Sequence, residues 1–199
     1  QGELQAVNQI LASVGQAPVT TLEQTNPDVA IAYNTLQQVS REVQAEGWTF
    51  NKEYHYPLKQ NTAQEFKIPD NMLQMDLCMD ALYNRDKDPI RRDGKLYDRN
   101  SHSFKWEEDK THYFDIIWFF EWSDLPPTIR DYITSRAAAI VSMRIVGDPN
   151  LYQILAQQEA YMRSNALQYE TEQGDYTFFG HPRGGDYYNS YQPFHALYR

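Results

Sequence analysis

Apolar residues recur at helical spacing at both ends of the chain and alternate with polar ones in the middle. Leu4, Val7, Leu11 and Val14, with Ile10 alongside, follow a 3.6-residue period, and Gly15 stands where a C′ glycine would stop the helix. Asn26 then reads as an N-cap, with Pro27 at N1 and Asp28 favouring the positive end of the helix dipole. Ile31 or Ala32, Leu36, Val39 and Val43 give a second stripe, closed by Gly47. A third stripe runs through Ile129, Tyr132, Ile133, Ala137, Ile140, Val141 and Ile145 to Gly147. Asp148 and Pro149 repeat the N-cap and N1 device. Leu151, Leu155, Met162, Ala166 and Tyr169 carry a fourth helix to Gly174, with Gln158 as a polar interruption.

Between the second and third stripes the period changes to two. Residues 48–56, Phe66–Ile68 and Leu73–Leu77 alternate large apolar and polar positions, as strands do. Residues 91–97 carry Asp93-Gly94, a strong hairpin signal. Phe104–Trp106 and His112–Trp122 read as two more strands, with Trp106, Trp118, Phe119, Phe120 and Trp122 as β core. The pattern predicts an α+β chain: a four-helix bundle with an inserted small antiparallel β domain and a flexible C-terminal arm. The predicted parts are the halves of the bundle over 1–47 and 126–173, the β domain over 48–125 and the arm over 174–199. The Ala137-Ala138-Ala139 run permits close helix approach within the bundle or across a subunit contact.

The arm has neither period. Tyr176, Phe178, Phe179, Tyr187, Tyr188, Tyr191, Phe194 and Tyr198 stand among four glycines and two prolines. Disordered linkers are poor in aromatics. A ring-rich segment without a period either packs back on its own domain or docks on a neighbouring subunit or another protein. Phe178, Phe179, Tyr187, Tyr188 and Tyr191 are the candidate anchors. Fully extended, the arm spans up to about 85 Å.

Composition narrows the chemistry. The 199 residues carry a net charge of −9 and a mean hydropathy of −0.72. That balance opposes tight sequence-independent DNA binding, which needs clustered Lys and Arg. Of the 18 basic residues, 11 lie between Trp48 and Leu125. Arg91, Arg92, Lys95 and Arg99 alternate with Asp93 and Asp98, so a solvated hairpin fits them better than a nucleic-acid face. The apolar runs are too short to cross a bilayer, and the opening residues do not read as a signal peptide. A lone cysteine, Cys78, excludes an intrachain disulfide and reads as a small hydrophobe.

Catalytic signatures are missing from the sequence. It has no G-x-S-x-G elbow, Walker loop, Rossmann glycines or H-E-x-x-H. His55, His102, His112, His181 and His195 share no metal-ligand spacing, and only His102 and His112 offer a convergence across a hairpin. The glycines around His181 lack the strand–loop–helix setting of a phosphate cradle. Glu107, Glu108 and Asp109 read as solvated turn acids. The expectation is no enzyme, no catalytic residue, no metal and no cofactor. The competing class is a wall- or polysaccharide-degrading hydrolase, which requires two carboxylates converging in a cleft.

Residues 3–15, followed by Pro18-Val19-Thr20-Thr21-Leu22-Glu23, resemble the start of the tail tubular protein A family, the adaptors of T7-like podoviruses. Gly47-Trp48-Thr49-Phe50-Asn51, Leu96-Tyr97-Asp98-Arg99 and Asp124-Leu125-Pro126 are similar to later family segments in the same order. The similarity runs over roughly residues 3–172. Family sequences begin several residues upstream, so the resemblance implies a trimmed start. It also implies a virion structural protein forming a twelve-subunit ring beneath the portal protein. That ring joins the portal to a nozzle of tail tubular protein B, near the attachment of the tail fibres. It surrounds the genome-ejection channel, through which DNA passes without sequence-specific binding. The implied protein is made in the host cytoplasm and does not insert in a membrane.

Overall fold

A computed structural model describes residues 2–23, 25–78, 87–106 and 111–174. The chain is mixed helix and strand, and it divides into two compact units: residues 1–50 with 120–174, and residues 51–119.

The first unit holds α1 (Glu3–Ser13), α2 (Pro27–Ala45), α3 (Pro127–Ile145) and α4 (Pro149–Gly174). Local chemistry sets their ends. The Asn26 side chain accepts from Asp28 N at 3.0 Å, with Pro27 at the first helical position. Asp148 caps α4 through Asn150 N at 2.9 Å. Gly15 and Gly47 follow α1 and α2 at φ +79° and +80°, the left-handed conformation that ends a helix without steric cost. Leu36, Val39, Val43, Ile129, Ile133 and Val141 are buried together, and α3 packs against α1, α2 and α4. The three alanines are buried, Ala137 completely.

The second unit holds β1 (Lys52–Leu58), β2 (Met72–Leu77), β3 (Pro89–Arg92), β4 (Lys95–Asp98) and β5 (His112–Trp118). β5 lies between β1 and β2 in one antiparallel sheet, and β3 and β4 form a separate hairpin. Asp93 and Gly94 take φ +53° and +69°, as a type I′ turn requires, and Arg92 faces Lys95 across it. Phe66, Trp106, Phe114, Ile116, Met72 and Leu96 make the core. β1 is an edge strand. Tyr113 accepts from Cys78 N on the β2 side, so its β1 partner Pro57 turns its hydrogen-free nitrogen to the open edge. The β1 register also breaks between Glu53 and Tyr56, where His55 sits at φ +56°.

Three strand expectations are corrected. β1 starts at Lys52, because Trp48 is buried in the helical core and donates its indole N–H to Val43 O at 2.7 Å. Residues 104–106 form no strand. Trp106 is fixed instead by its N–H to Gln64 O at 2.9 Å, while Ser103 makes a single bridge to Asp98. β5 ends at Trp118. Phe120 and Trp122 leave the strand and pack in the helical core, with Trp122 in a short 3-10 turn, Trp122–Asp124. Phe66–Ile68 is extended through one bridge, Lys67 to Lys95, flanked by Ile68 N to Gly94 O and Leu96 N to Phe66 O.

Candidate functional site

The hairpin at 88–101 holds the most constrained acid among the described residues. Asp98 ends β4 and is 1% exposed. Its Oδ1 accepts from Asp88 N at 3.0 Å and Asn100 N at 3.1 Å, and Oδ2 accepts from Ser101 Oγ at 2.7 Å. Lys87 Nζ lies 3.8 Å away. A wholly solvated hairpin is therefore incorrect at this residue: its carboxylate organises the loop. The neighbouring bases also have partners. Arg91 donates to Met72 O at 2.8 Å, Arg92 stacks over Tyr97, Lys95 pairs with Glu65 at 3.0 Å, and Arg99 pairs with Asp88 at 2.8 Å.

Burial pushes the Asp98 carboxyl up. The donated hydrogen bonds from Asp88, Ser101 and Asn100 and the Lys87 charge outweigh it and hold the pKa below the usual value. A depressed acid stabilises the fold fully above its unfolded pKa, about 3.9, and loses that contribution as pH falls towards the folded value. The β unit is thus expected to lose stability below about pH 4. Asp98→Asn should flatten that acid limb and cost about 2 kcal/mol at neutral pH. Urea titrations at pH 3 and pH 7 check both; an unchanged acid limb would assign the pH dependence elsewhere.

The histidines divide by environment. His112 is 3% exposed and meets Phe66 and Trp106 edge-on at 5.4 and 5.2 Å. His102 sits on an exposed turn at φ +55°. His55 stacks flat on Tyr113 at 3.9 Å. Its backbone N–H shares Asp115 Oδ1 with the Cys78 thiol, each at 3.2 Å. Among the described residues no three His, Cys, Asp or Glu side chains are placed to hold a metal. His181 and His195, like Glu107, Glu108 and Asp109, lie outside the described residues.

In the helical unit, polar contacts fasten α4. Glu170 accepts from Thr49 N at 2.6 Å and Thr49 Oγ1 at 2.8 Å. Arg163 meets the Tyr132 hydroxyl at 2.7 Å and Glu46 at 3.4 Å; the hydroxyl above all, opposed by burial, raises the guanidinium pKa further. Outward, α4 exposes Tyr152, Ile154, Tyr161 and Leu167, and Met143 of α3 and Val146 just after it are exposed. These were missed in the sequence reading, which followed only the core stripe of α4; a second apolar set off that stripe was the available signal. A small groove of about 140 Å³ on the β unit is lined by Ile68, Met72, Leu73, Met75, Ile90 and Arg91 among others. The five candidate anchors Phe178, Phe179, Tyr187, Tyr188 and Tyr191 lie outside the described residues.

These features define a mixed α+β protein with small antiparallel sheets. A model of the tail tubular protein family matches residues 4–176, and the chain belongs to that family, a structural component of T7-like phage tails. No curated protein matches the chain. None of the described helices is long and apolar enough to cross a membrane.

Proposed function

We propose that the chain is the tail adaptor: a ring, of twelve copies by analogy with the family, that joins the portal to the nozzle and surrounds the genome-ejection channel. The family match over residues 4–176 carries this reading. The net charge of −9 supports it, because an acidic wall repels DNA phosphates and lets a duplex slide. The helices are read as a four-helix bundle bearing the β unit 51–119 and ending in the arm 174–199. The arm, through Phe178, Phe179, Tyr187, Tyr188 and Tyr191, ties the ring to the portal or to the adjacent subunit. The nozzle protein and the tail fibres attach on the far side. The protein acts by contact, without catalysis or cofactor, in a virion assembled from chains made in the host cytoplasm.

Assembly is expected on a template. The purified chain should be monomeric by native mass spectrometry and form a closed ring when purified portal rings of the encoding phage are added. A stable ring without portal would reject templating, and failure to bind portal would reject the adaptor role.

A further inference from the structure

Two helix faces in the first unit expose little charge. On α4, every fully exposed position from Pro149 to Thr171 is uncharged, including Tyr152, Ile154, Tyr161 and Leu167. Glu159, Arg163 and Glu170, on the Tyr152 flank of the helix, are only partly exposed, and the one exposed acid, Glu172, stands in the last turn. On α1, the exposed positions Gln5, Gln9 and Ala12 follow one helical stripe, continued past the cap by Gln16. No charged residue occurs from Leu4 to Leu22. The contrast lies within the same unit: α2 exposes Arg41 and Glu42, and Glu46 is exposed at its C-cap. Exposed helix faces ordinarily carry charge, whereas the centres of protein interfaces are depleted of it and enriched in Tyr.

Charge selects the occupant. Each copy carries −9, so two copies repel except where neither presents acids. An acidic partner or nucleic acid would need Lys or Arg on these faces, and a basic partner would need Asp or Glu. A convex helix face encloses no small molecule. The two faces also differ in relief. α4 presents large side chains, while α1 presents glutamines and an alanine. A contact between unlike faces is head-to-tail, and repeated with the right rotation it closes a ring.

We propose that the outer face of α4 on one copy packs on the outer face of α1 on the next. This rests on the ring reading above and names its subunit contact.

The test uses the full chain in a Cys78→Ser background. An Ala12→Cys protein is mixed with a differently tagged Tyr161→Cys protein and treated with a short bis-maleimide, with and without portal rings. The expected product is the mixed 12–161 cross-link, roughly tenfold above either protein alone, since the head-to-tail contact pairs unlike faces. In parallel, Ile154→Glu with Tyr161→Glu, and Gln9→Glu with Ala12→Glu, should leave circular dichroism and melting unchanged. Each pair should weaken ring assembly on the order of a hundredfold, because like charges then meet across the contact. Dominant 161–161 or 12–12 products would overturn the head-to-tail arrangement. Portal-bound rings without the 12–161 product, or rings indifferent to both glutamate pairs, would overturn the proposal alone. A 12–161 product without rings on the portal would uphold this contact and reject the portal-ring reading. Absence of both would reject the two together.

Discussion

Removing residues 174–199 is expected to abolish portal attachment while both units stay folded. The described cores reach no further along the chain than Ala166, so melting should shift by no more than about 2 °C. The arm holds eight of the aromatic residues, and truncating one buried interface anchor costs about 2 kcal/mol or more. With two or more anchors gone, co-sedimentation with portal rings should fall at least roughly a hundredfold. Ionic strength should change full-length binding little, because the two Asp and two Arg of the segment cancel. Unchanged co-sedimentation would reject the docking arm. A large fall in melting temperature would instead place the arm on its own subunit.

Phe66→Ala is expected to cost about 4 kcal/mol, enough to unfold a marginal β unit. Phe66 is 1% exposed and meets Trp106, His112 and Phe114 edge-on at 5.2, 5.4 and 6.0 Å. Removing its ring opens a cavity shared by all three neighbours, which cannot collapse together. The helical core shares none of these residues, so helical circular dichroism should survive while the near-ultraviolet contribution of Trp106 and its neighbours is lost and that of Trp48 and Trp122 remains. Loss of both signals in one transition would show that the units unfold as one.

What could be read beforehand follows from how local each determinant is. Asn26-Pro27, Asp148-Pro149 and Asp93-Gly94 act through atoms two or three residues away, so their helix starts and turn were legible. The core stripe of α2 was legible because five buried apolar residues, Val29 to Val43, keep helical spacing within a helix of nineteen residues. Residues 48–50 and 119–122 misled because alternation of rings with polar residues is also satisfied by Trp48, Phe50, Phe120 and Trp122 packing among helices. Asp98 was misjudged for a related reason. An acid beside arginines reads as solvated, and only the folded loop brings Asp88 N, Asn100 N and Ser101 Oγ onto its two oxygens. The contact faces of α1 and α4 are exposure patterns, invisible until burial of the opposite side is known. The arm was legible only as composition, since no residue within it supplies the surface it would meet.

Pro57 and the neighbouring break in β1 bear on the life of the chain before it joins a particle. A strand edge with a regular row of N–H donors would recruit the same edge of other copies, and newly made chains would accumulate as fibrils or inclusion bodies. Here that row is interrupted by a nitrogen without hydrogen and by a left-handed residue at His55. Pairing of β1 with β1 of another copy is disfavoured in unassembled chains for that reason.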